Sequence, residues 1–131
     1  MLYPTQPLGM VTQSQAMLAV LWAGNGDHAR AVVQAEEVQT SPHITGVACY
    51  DLACAHSLAS AAVNKDIKLS AEKRSKLVED YAGRAVALLT KAIAKGNPDI
   101  ADMKTDRDLN PIRNRPEFQK LLREWERSTS R

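Results

Sequence analysis

The sequence predicts an all-α fold of five or six helices, and three observations lead to that prediction. Apolar residues recur at steps of three and four along most of the chain, which is the spacing of one helix face. No segment shows the strict alternation of apolar and polar residues that marks a half-buried strand. Alanine, a small and strong helix former, occurs nineteen times, against six glycines and six prolines. With 131 residues the chain has the length of a single domain.

The predicted helices are separated by sequence signals that end one helix and begin the next. The run Gly24, Asn25 and Gly26 ends the first helix, because glycine adopts the left-handed cap conformation without steric cost. Asp27 and Ser70 are suitable N-caps for the helices that follow them. The expected elements are a loose lead-in at 1–11, helices at 12–24, 28–40, 43–62, 70–95 and 116–127, and a fraying tail at 128–131.

Charge patterning limits the classes of partner that we expect. The net charge is +2, too close to zero to indicate a nucleic-acid partner. Residues 1–60 carry four acidic and one basic side chain, whereas residues 61–131 carry eleven acidic and sixteen basic ones, so the halves have net charges of −3 and +5. We interpret this asymmetry as a solvated surface of mixed charge. No uncharged apolar stretch approaches the length of a membrane span, and no secretory signal opens the chain, so we expect no membrane contact.

The two cysteines favour a reducing compartment. Cys49 and Cys54 are five residues apart, which on a helix places them about 140° apart. That geometry is poor for a disulfide between them. Two lone thiols in a run of small residues are typical of buried side chains, so we expect a cytoplasmic protein that needs no cofactor.

A comparison of the sequence with itself at a shift of 34 residues indicates an internal repeat. Leu18 aligns with Leu52, Ala19 with Ala53, and the ring of Trp22 with another ring, that of His56. In each copy these residues fall in a first helix, and an alanine-led helix follows. The expected division of the helical domain at 12–127 is repeat 1 at 12–42, repeat 2 at 43–97 with an insertion at 61–80, and a capping segment at 98–127.

Three segments of the chain resemble one group of proteins. Residues 50–54, Tyr-Asp-Leu-Ala-Cys, resemble the Tyr-Asn-Leu-Ala-Cys run of certain bacterial tetratricopeptide proteins, and residues 81–89 resemble their second helix. Residues 105–122 resemble their closing segment, D-P-D-L-D-P-L-R followed by P-x-F-Q-x-L-L. The chain thus resembles a tetratricopeptide repeat domain over 17–122, and in particular the C-terminal repeat regions of bacterial, planctomycete-type Ser/Thr protein kinases.

The resemblance implies antiparallel helix pairs stacked in a short right-handed superhelix. It also implies a non-catalytic role in protein–protein interaction, in a signalling context, and implies no kinase activity in this chain. In such domains the first helix of each pair lines a concave face, which here is small and mostly apolar and suits a peptide or a partner helix, with Tyr50 as an anchor. The predicted contact face consists of Ala16, Met17, Val20, Ala23, Val47, Tyr50, Asp51, Cys54 and Ser57.

Two patterns that suggest catalysis or a metal site are incomplete. The run 106–109, Asp-Arg-Asp-Leu, resembles a kinase catalytic loop, but the other kinase motifs are missing. The same stretch has the acidic spacing of a calcium loop, but Pro111 stands where that loop needs glycine. We therefore expect neither an enzyme nor a metal protein. If the chain did have catalytic or metal-binding activity, the candidate residues would be Cys49 with His56, or Asp106 with Asp108.

Two further alternatives concern binding. The domain could be a structural module for self-association, as a homodimer or spacer, with its groove filled by another part of the same chain. A nucleic-acid role would rest on the basic C-terminal side chains and would weaken steeply with salt. Those side chains are Arg113, Arg115, Lys120, Arg123 and Arg127.

Overall fold

The described part of the chain is entirely helical, as predicted. The computed structural model describes residues 8–42, 44–97 and 100–129, and no strand occurs among them. The α-helices are α1 (Leu8–Gly24), α2 (His28–Gln39), α3 (Gly46–Asn64), α4 (Ala71–Ala94) and α5 (Pro116–Thr129). Two short 3₁₀ helices lie between α4 and α5, the first at Ile100–Lys104 and the second at Arg107–Ile112.

The predicted helix boundaries at residues 24–27 and at Ser70 are confirmed. Gly26 has a φ of 87°, the left-handed conformation that ends the turn after α1. The side chain of Asp27 accepts a hydrogen bond from the Arg30 N–H, and that of Ser70 accepts one from the Lys73 N–H. These caps satisfy N–H groups that have no partner inside their own helices.

Other boundaries differ from the prediction. α1 begins at Leu8 rather than at residue 12, because 8–11 contain no proline and one glycine costs a helix only about 1 kcal/mol. α3 begins later than predicted, at Gly46, since Thr45 is its N-cap and accepts a hydrogen bond from the Ala48 N–H. The rest of the lead-in at 1–7, His43 at the predicted start of the third helix, and the last two residues of the tail lie outside the described residues.

Most of the stretch at 61–80, which the sequence analysis interprets as an insertion, is helical. α3 continues through it to Asn64, and α4 begins within it at Ala71. The link between them is a tight polar turn in which the Asp66 side chain accepts a hydrogen bond from the Lys68 N–H. The second helix pair is therefore longer than the first.

α3 is the central helix of the fold. It packs against α1, α2, α4 and the second 3₁₀ helix, and Leu52 and Ala53 on it are fully buried. By length and mean hydropathy (1.2) α3 is the one described helix that could cross a membrane, but 67% of that stretch is buried among the other helices. Its apolar surface is thus used in the protein core.

The start of α3, at Gly46, closely approaches the end of α4. A Cβ atom at Gly46 would lie 3.2 Å from the Asn97 nitrogen, 3.3 Å from the Ala92 oxygen and 3.3 Å from the Lys95 Cβ. Two of these neighbours are backbone atoms, which cannot move aside as the end of a flexible side chain can. The position therefore has room for glycine and little more.

Replacing Gly46 by leucine is expected to lower the free energy of unfolding by about 1–3 kcal/mol through overpacking against the end of α4. Urea unfolding followed by circular dichroism measures the change. The control is Gly83→Leu on α4, where a Cβ atom would have no neighbour within 4 Å, so that substitution should cost much less. Equal losses in the two variants would contradict the close approach.

Candidate functional site

The main cluster of polar side chains lies where α3 meets the second 3₁₀ helix. α3 contributes Tyr50, Asp51 and Cys54, and Cys54 neighbours the other two on the helix surface because it follows Tyr50 by four residues and Asp51 by three. The 3₁₀ helix contributes Asp106, its N-cap, and Asp108 in its first turn. We call these five residues the carboxyl cluster.

Asp106 accepts hydrogen bonds from three other members of the carboxyl cluster. Its Oδ2 accepts a hydrogen bond of 2.8 Å from the Tyr50 hydroxyl and faces the Cys54 Sγ, which donates at 3.9 Å. Its Oδ1 accepts from the Asp108 N–H at 2.9 Å, which caps the 3₁₀ helix. Asp51 lacks such partners, since its Oδ2 is buried and has no hydrogen-bond partner among the described residues.

The electrostatics of the cluster make the ionised form of Asp51 costly. Burial, with the charges of Asp106 and Asp108 in addition, raises the pKa of Asp51 to about 6. Burial and the same two carboxylates raise the pKa of the Cys54 thiol far above its usual range, so the thiol stays protonated. Burial and the hydrogen bond to Asp106 raise the pKa of Tyr50 as well. A proton on Asp51 would relieve the repulsion and give its buried oxygen a donor role.

The cluster has the spacing of a metal site but not a consistent set of ligands. The ligand atoms of Cys54, Asp106 and Asp108 lie within 4.8 Å of one another, and no other described group of three His, Cys, Asp or Glu side chains does so. Carboxylates suit hard cations, whereas a thiolate suits soft ones, and this thiol is buried and resists ionisation. Both oxygens of Asp106 are also already hydrogen-bonded. The arrangement fits a shared proton better than a metal ion.

The predicted contact face is brought together only in part. Most of its residues are buried within this chain, and the segment at 106–112 covers Tyr50 and Cys54, with Leu109 and Ile112 of that segment fully buried. Met17 is the one with a large exposed apolar side chain, 44% exposed. The buried members are Ala16, Ala23, Tyr50, Cys54 and Ser57, and the partly buried ones are Val20, Val47 and Asp51.

Of the basic residues proposed for nucleic-acid binding, two are engaged inside the protein. The Arg113 guanidinium donates hydrogen bonds to the backbone carbonyls of Met103, Lys104 and Asp106. Arg115 donates to the carboxylates of Glu117 and Glu79. Side chains held in this way are poorly available to phosphate groups. The five basic residues proposed for nucleic-acid binding therefore do not form one available basic patch.

Cys49 and His56 do not form a site either. Both are fully buried on α3, and neither belongs to a described group with metal-ligand spacing. Burial, with the charge of Arg84 in addition, lowers the pKa of His56 to about 4, so the ring is neutral near pH 7. Its centroid lies 6.1 Å from that of Tyr81, which indicates a packing role between α3 and α4.

A second polar pair joins α2 to the link between α3 and α4. The Nε2 atom of His28 lies 2.8 Å from the Asp66 Oδ2. A cavity of about 580 Å³ adjoins the pair, and its lining offers no hydroxyl or thiol that could act as a nucleophile. The hydrogen bond with His28 lowers the pKa of Asp66. The pair is best understood as a link between the two helix pairs.

α1 carries three of the large apolar side chains that are exposed among the described residues. Met17, Leu18 and Leu21, which we call the apolar stripe, are 44%, 41% and 57% exposed and share one helix face. Leu18 aligns with Leu52 in the predicted repeat, but Leu52 is fully buried and Leu18 is not. The signal that could have identified the stripe is the absence of any charged residue in α1.

Comparison of the chain with protein-family models, with characterised proteins and with solved structures finds no match.

Proposed function

We propose that the protein is a non-catalytic helical interaction module and that the apolar stripe of α1 is its contact surface. The observation that carries the proposal is the exposure of Met17, Leu18 and Leu21 on a helix without a charged side chain. The outermost helix of a stack of helix pairs ordinarily presents a polar face to solvent. An apolar face in that position is typical of a surface that a partner covers.

The packing order of the helices supports a tetratricopeptide-like arrangement. α1 packs on α2 and α3 packs on α4, while α3 also contacts both helices of the first pair. Two stacked helix pairs give this order of neighbours, in which each pair buries its apolar face against the next. The proposal therefore includes the fold and the bacterial kinase-associated family that the sequence resembles.

The chemistry of the described polar groups favours binding over catalysis. The carboxyl cluster pairs its groups with one another, and the thiol of Cys54 is held protonated. Near the His28–Asp66 pair no hydroxyl or thiol lines the cavity. Catalysis would need a nucleophile within hydrogen-bonding reach of a base that a third group orients.

The proposed contact surface excludes Tyr50, because that side chain already has a partner within the chain. The segment at 106–112 already covers Tyr50 and Cys54, and its residues Leu109 and Ile112 are part of the core. A peptide could reach this part of the concave face only by displacing fully buried side chains. The same observation favours a second candidate function, a structural module whose groove is filled by its own chain and which associates with copies of itself.

A photo-crosslinking amino acid placed at Leu21 tests the proposed contact surface. We expect ultraviolet irradiation in cells to join position 21 covalently to a polypeptide, which mass spectrometry then identifies. The control is the same amino acid at Ile67, which is 91% exposed but lies in the link between α3 and α4. The proposal fails if position 21 gives no polypeptide adduct, or if position 67 gives the same adducts in the same yield.

A further inference from the structure

The link between α3 and α4, at 65–70, presents one apolar side chain to solvent. Ile67 is 91% exposed, whereas the other large apolar side chains that are exposed among the described residues reach at most 59%. A single exposed aliphatic side chain is common on protein surfaces. What this one can contact depends on how firmly the link holds it and on which groups surround it.

Hydrogen bonds on both sides of Ile67 fix the link in a defined turn. The Asp66 side chain accepts a hydrogen bond of 3.0 Å from the Lys68 N–H, and the Asp66 carbonyl accepts one of 3.2 Å from the Leu69 N–H. The Arg74 guanidinium donates to the carbonyls of Asp66 and Leu69, at 3.2 and 2.7 Å. The turn therefore holds Ile67 at its tip with the side chain directed to solvent.

Basic side chains surround this tip. Residues 65–76 carry five basic and two acidic side chains, a net charge of +3. Four of the basic side chains are exposed lysines, two in the link and two in the first turns of α4. Side chains on a helix lean toward its N-terminus, so the two lysines of α4 lean toward the link. We use the name basic tip for Ile67 together with Lys65, Lys68, Lys73 and Lys76.

The two acidic side chains in this segment do not cancel its positive charge. The Asp66 Oδ2 lies 2.8 Å from the His28 Nε2, so this carboxylate faces α2 and not the tip. A Glu72 carboxylate oxygen lies 3.8 Å from the Lys76 Nζ, and both side chains are more than three-quarters exposed. Lys65, Lys68 and Lys73 remain as an excess of positive charge around Ile67.

The turn between α1 and α2 lies beside the basic tip. The cavity next to His28 and Asp66 is lined by residues of both turns, so both lie at the same end of the molecule. The turn at 25–27 is short and has one charged side chain, Asp27, whose carboxylate lies 3.5 Å from the Arg30 guanidinium. No large side chain of this turn stands between the basic tip and a flat surface.

We propose that the basic tip binds a membrane surface that carries anionic lipids, with Ile67 entering the interface and the lysines lying at the level of the headgroups. An aliphatic side chain gains free energy when it leaves water for the boundary of the acyl chains. Lysines near an anionic surface add electrostatic attraction, and their long apolar stems let the ammonium groups stay among the headgroups. The contact needs neither a membrane span nor a secretory signal, although it departs from the expectation of no membrane contact.

The chemistry of the basic tip favours lipid over other anionic partners. Sites for single-stranded nucleic acid combine basic side chains with aromatic ones on which bases stack, and residues 65–76 contain no aromatic side chain. Protein interfaces are depleted in lysine, whereas here four lysines surround one apolar side chain. An apolar tip within a ring of lysines matches a surface that is anionic outside and apolar beneath.

Flotation of the purified chain with lipid vesicles tests the inference. We expect the chain to bind vesicles of phosphatidylcholine with about one-third phosphatidylserine, and to bind vesicles of phosphatidylcholine alone far more weakly. Added salt should weaken the binding, because it screens the lysines. The double variant Lys68→Gln/Lys73→Gln should bind at least about tenfold more weakly, since each lysine near an anionic surface contributes several-fold to the affinity.

Ile67→Gln separates entry into the interface from attraction by charge alone. This variant keeps every lysine, and we expect it to bind the vesicles with phosphatidylserine about tenfold more weakly than wild type. Val33→Gln, at an apolar side chain that is 59% exposed on α2, is the matched apolar control. Lys91→Gln/Lys95→Gln, at exposed lysines near the other end of α4, is the matched charge control. Both controls should bind nearly as wild type does, and circular dichroism confirms that each variant is folded.

Three results would overturn the inference. The first is a wild type that does not bind the vesicles with phosphatidylserine, including one that binds DNA or polyglutamate in their place. The second is equal weakening by the two lysine double variants, and the third is unchanged binding of Ile67→Gln. The basic tip shares no residue with the apolar stripe, so none of these results decides whether Leu21 crosslinks to a polypeptide, and the proposed function stands or fails separately.

Discussion

Replacing Phe118 by alanine is expected to lower the free energy of unfolding by about 3–5 kcal/mol, the range for removing a buried phenylalanine ring. Phe118 is fully buried on α5, and the Arg113 guanidinium lies 5.6 Å from its ring centroid. Its neighbours in the core include Met103, Leu109 and Ile112, all fully buried. The ring thus holds α5 and both 3₁₀ helices against the rest of the protein.

Urea unfolding measured by circular dichroism tests this prediction, with Lys120→Ala as the control. Lys120 is exposed on the same helix, and a surface substitution of this kind changes stability by about 0.5 kcal/mol at most. The fluorescence of Trp22 on α1 and Trp125 on α5 should report the same transition. Phe118→Ala could instead change only the fluorescence of Trp125 and leave the unfolding transition measured by circular dichroism unchanged. That result would show that α5 does not unfold together with the other helices.

Replacing Asp51 by asparagine is expected to stabilise the protein above pH 6 by about 1–2 kcal/mol. The pKa of Asp51 is raised to about 6 in the folded protein, so the folded state binds this proton more tightly than the unfolded chain does. The stabilisation from that proton is present at low pH and is lost as the pH rises toward 6. The expected magnitude is reduced because Asp51 is partly exposed and solvent screens its charge.

The physical reason is specific to the carboxyl cluster. Asparagine removes one of three neighbouring negative charges, and its neutral amide replaces a carboxylate whose buried Oδ2 has no partner among the described residues. α1, which also packs on α3, carries no charge that could compensate Asp51. The tetratricopeptide run that this segment resembles has asparagine at the same position.

Chemical unfolding of wild type and Asp51→Asn at several pH values between 4 and 8 provides the measurement. The two proteins should have similar stability near pH 4 and diverge toward pH 6, after which the difference should stay constant. Glu37→Gln makes the same charge change at an exposed position on α2 and should not reproduce this divergence. Parallel curves for wild type and Asp51→Asn would show that Asp51 is not the titrating group.

Local signals in the sequence were enough to predict the helices, and long-range contacts were not. The N-caps Asp27 and Ser70 and the turn at Gly26 depend on residues within four positions of each other, so they could be read from the sequence. The spacing of Tyr50, Asp51 and Cys54 likewise placed Cys54 beside the other two on the helix surface. Their partner Asp106 lies 56 residues after Tyr50 along the chain, and no periodicity links two segments so far apart.

The periodicity of the sequence also could not predict that apolar side chains of α1 are exposed. Leu18 and Leu52 align in the predicted repeat, yet one is 41% exposed and the other fully buried. The difference arises because α3 has neighbours on several sides, whereas α1 packs mainly on α2 and α3. Repeat position determines which way a side chain faces, and position in the stack determines whether anything covers it.

The separation between Tyr50 and Asp106 has a consequence for the order of folding. Contacts between α1 and α2, or between α3 and α4, join neighbours in sequence and can form early, because the loops that they close are short. The contact that covers Tyr50 and Cys54 needs a segment synthesised about 50 residues later. During translation the face of α3 around these residues therefore stays uncovered after its own helix has emerged. A nascent chain held at that stage exposes Tyr50 and Cys54 to solvent, and the docking of the segment at 106–112 gives both side chains their partner Asp106.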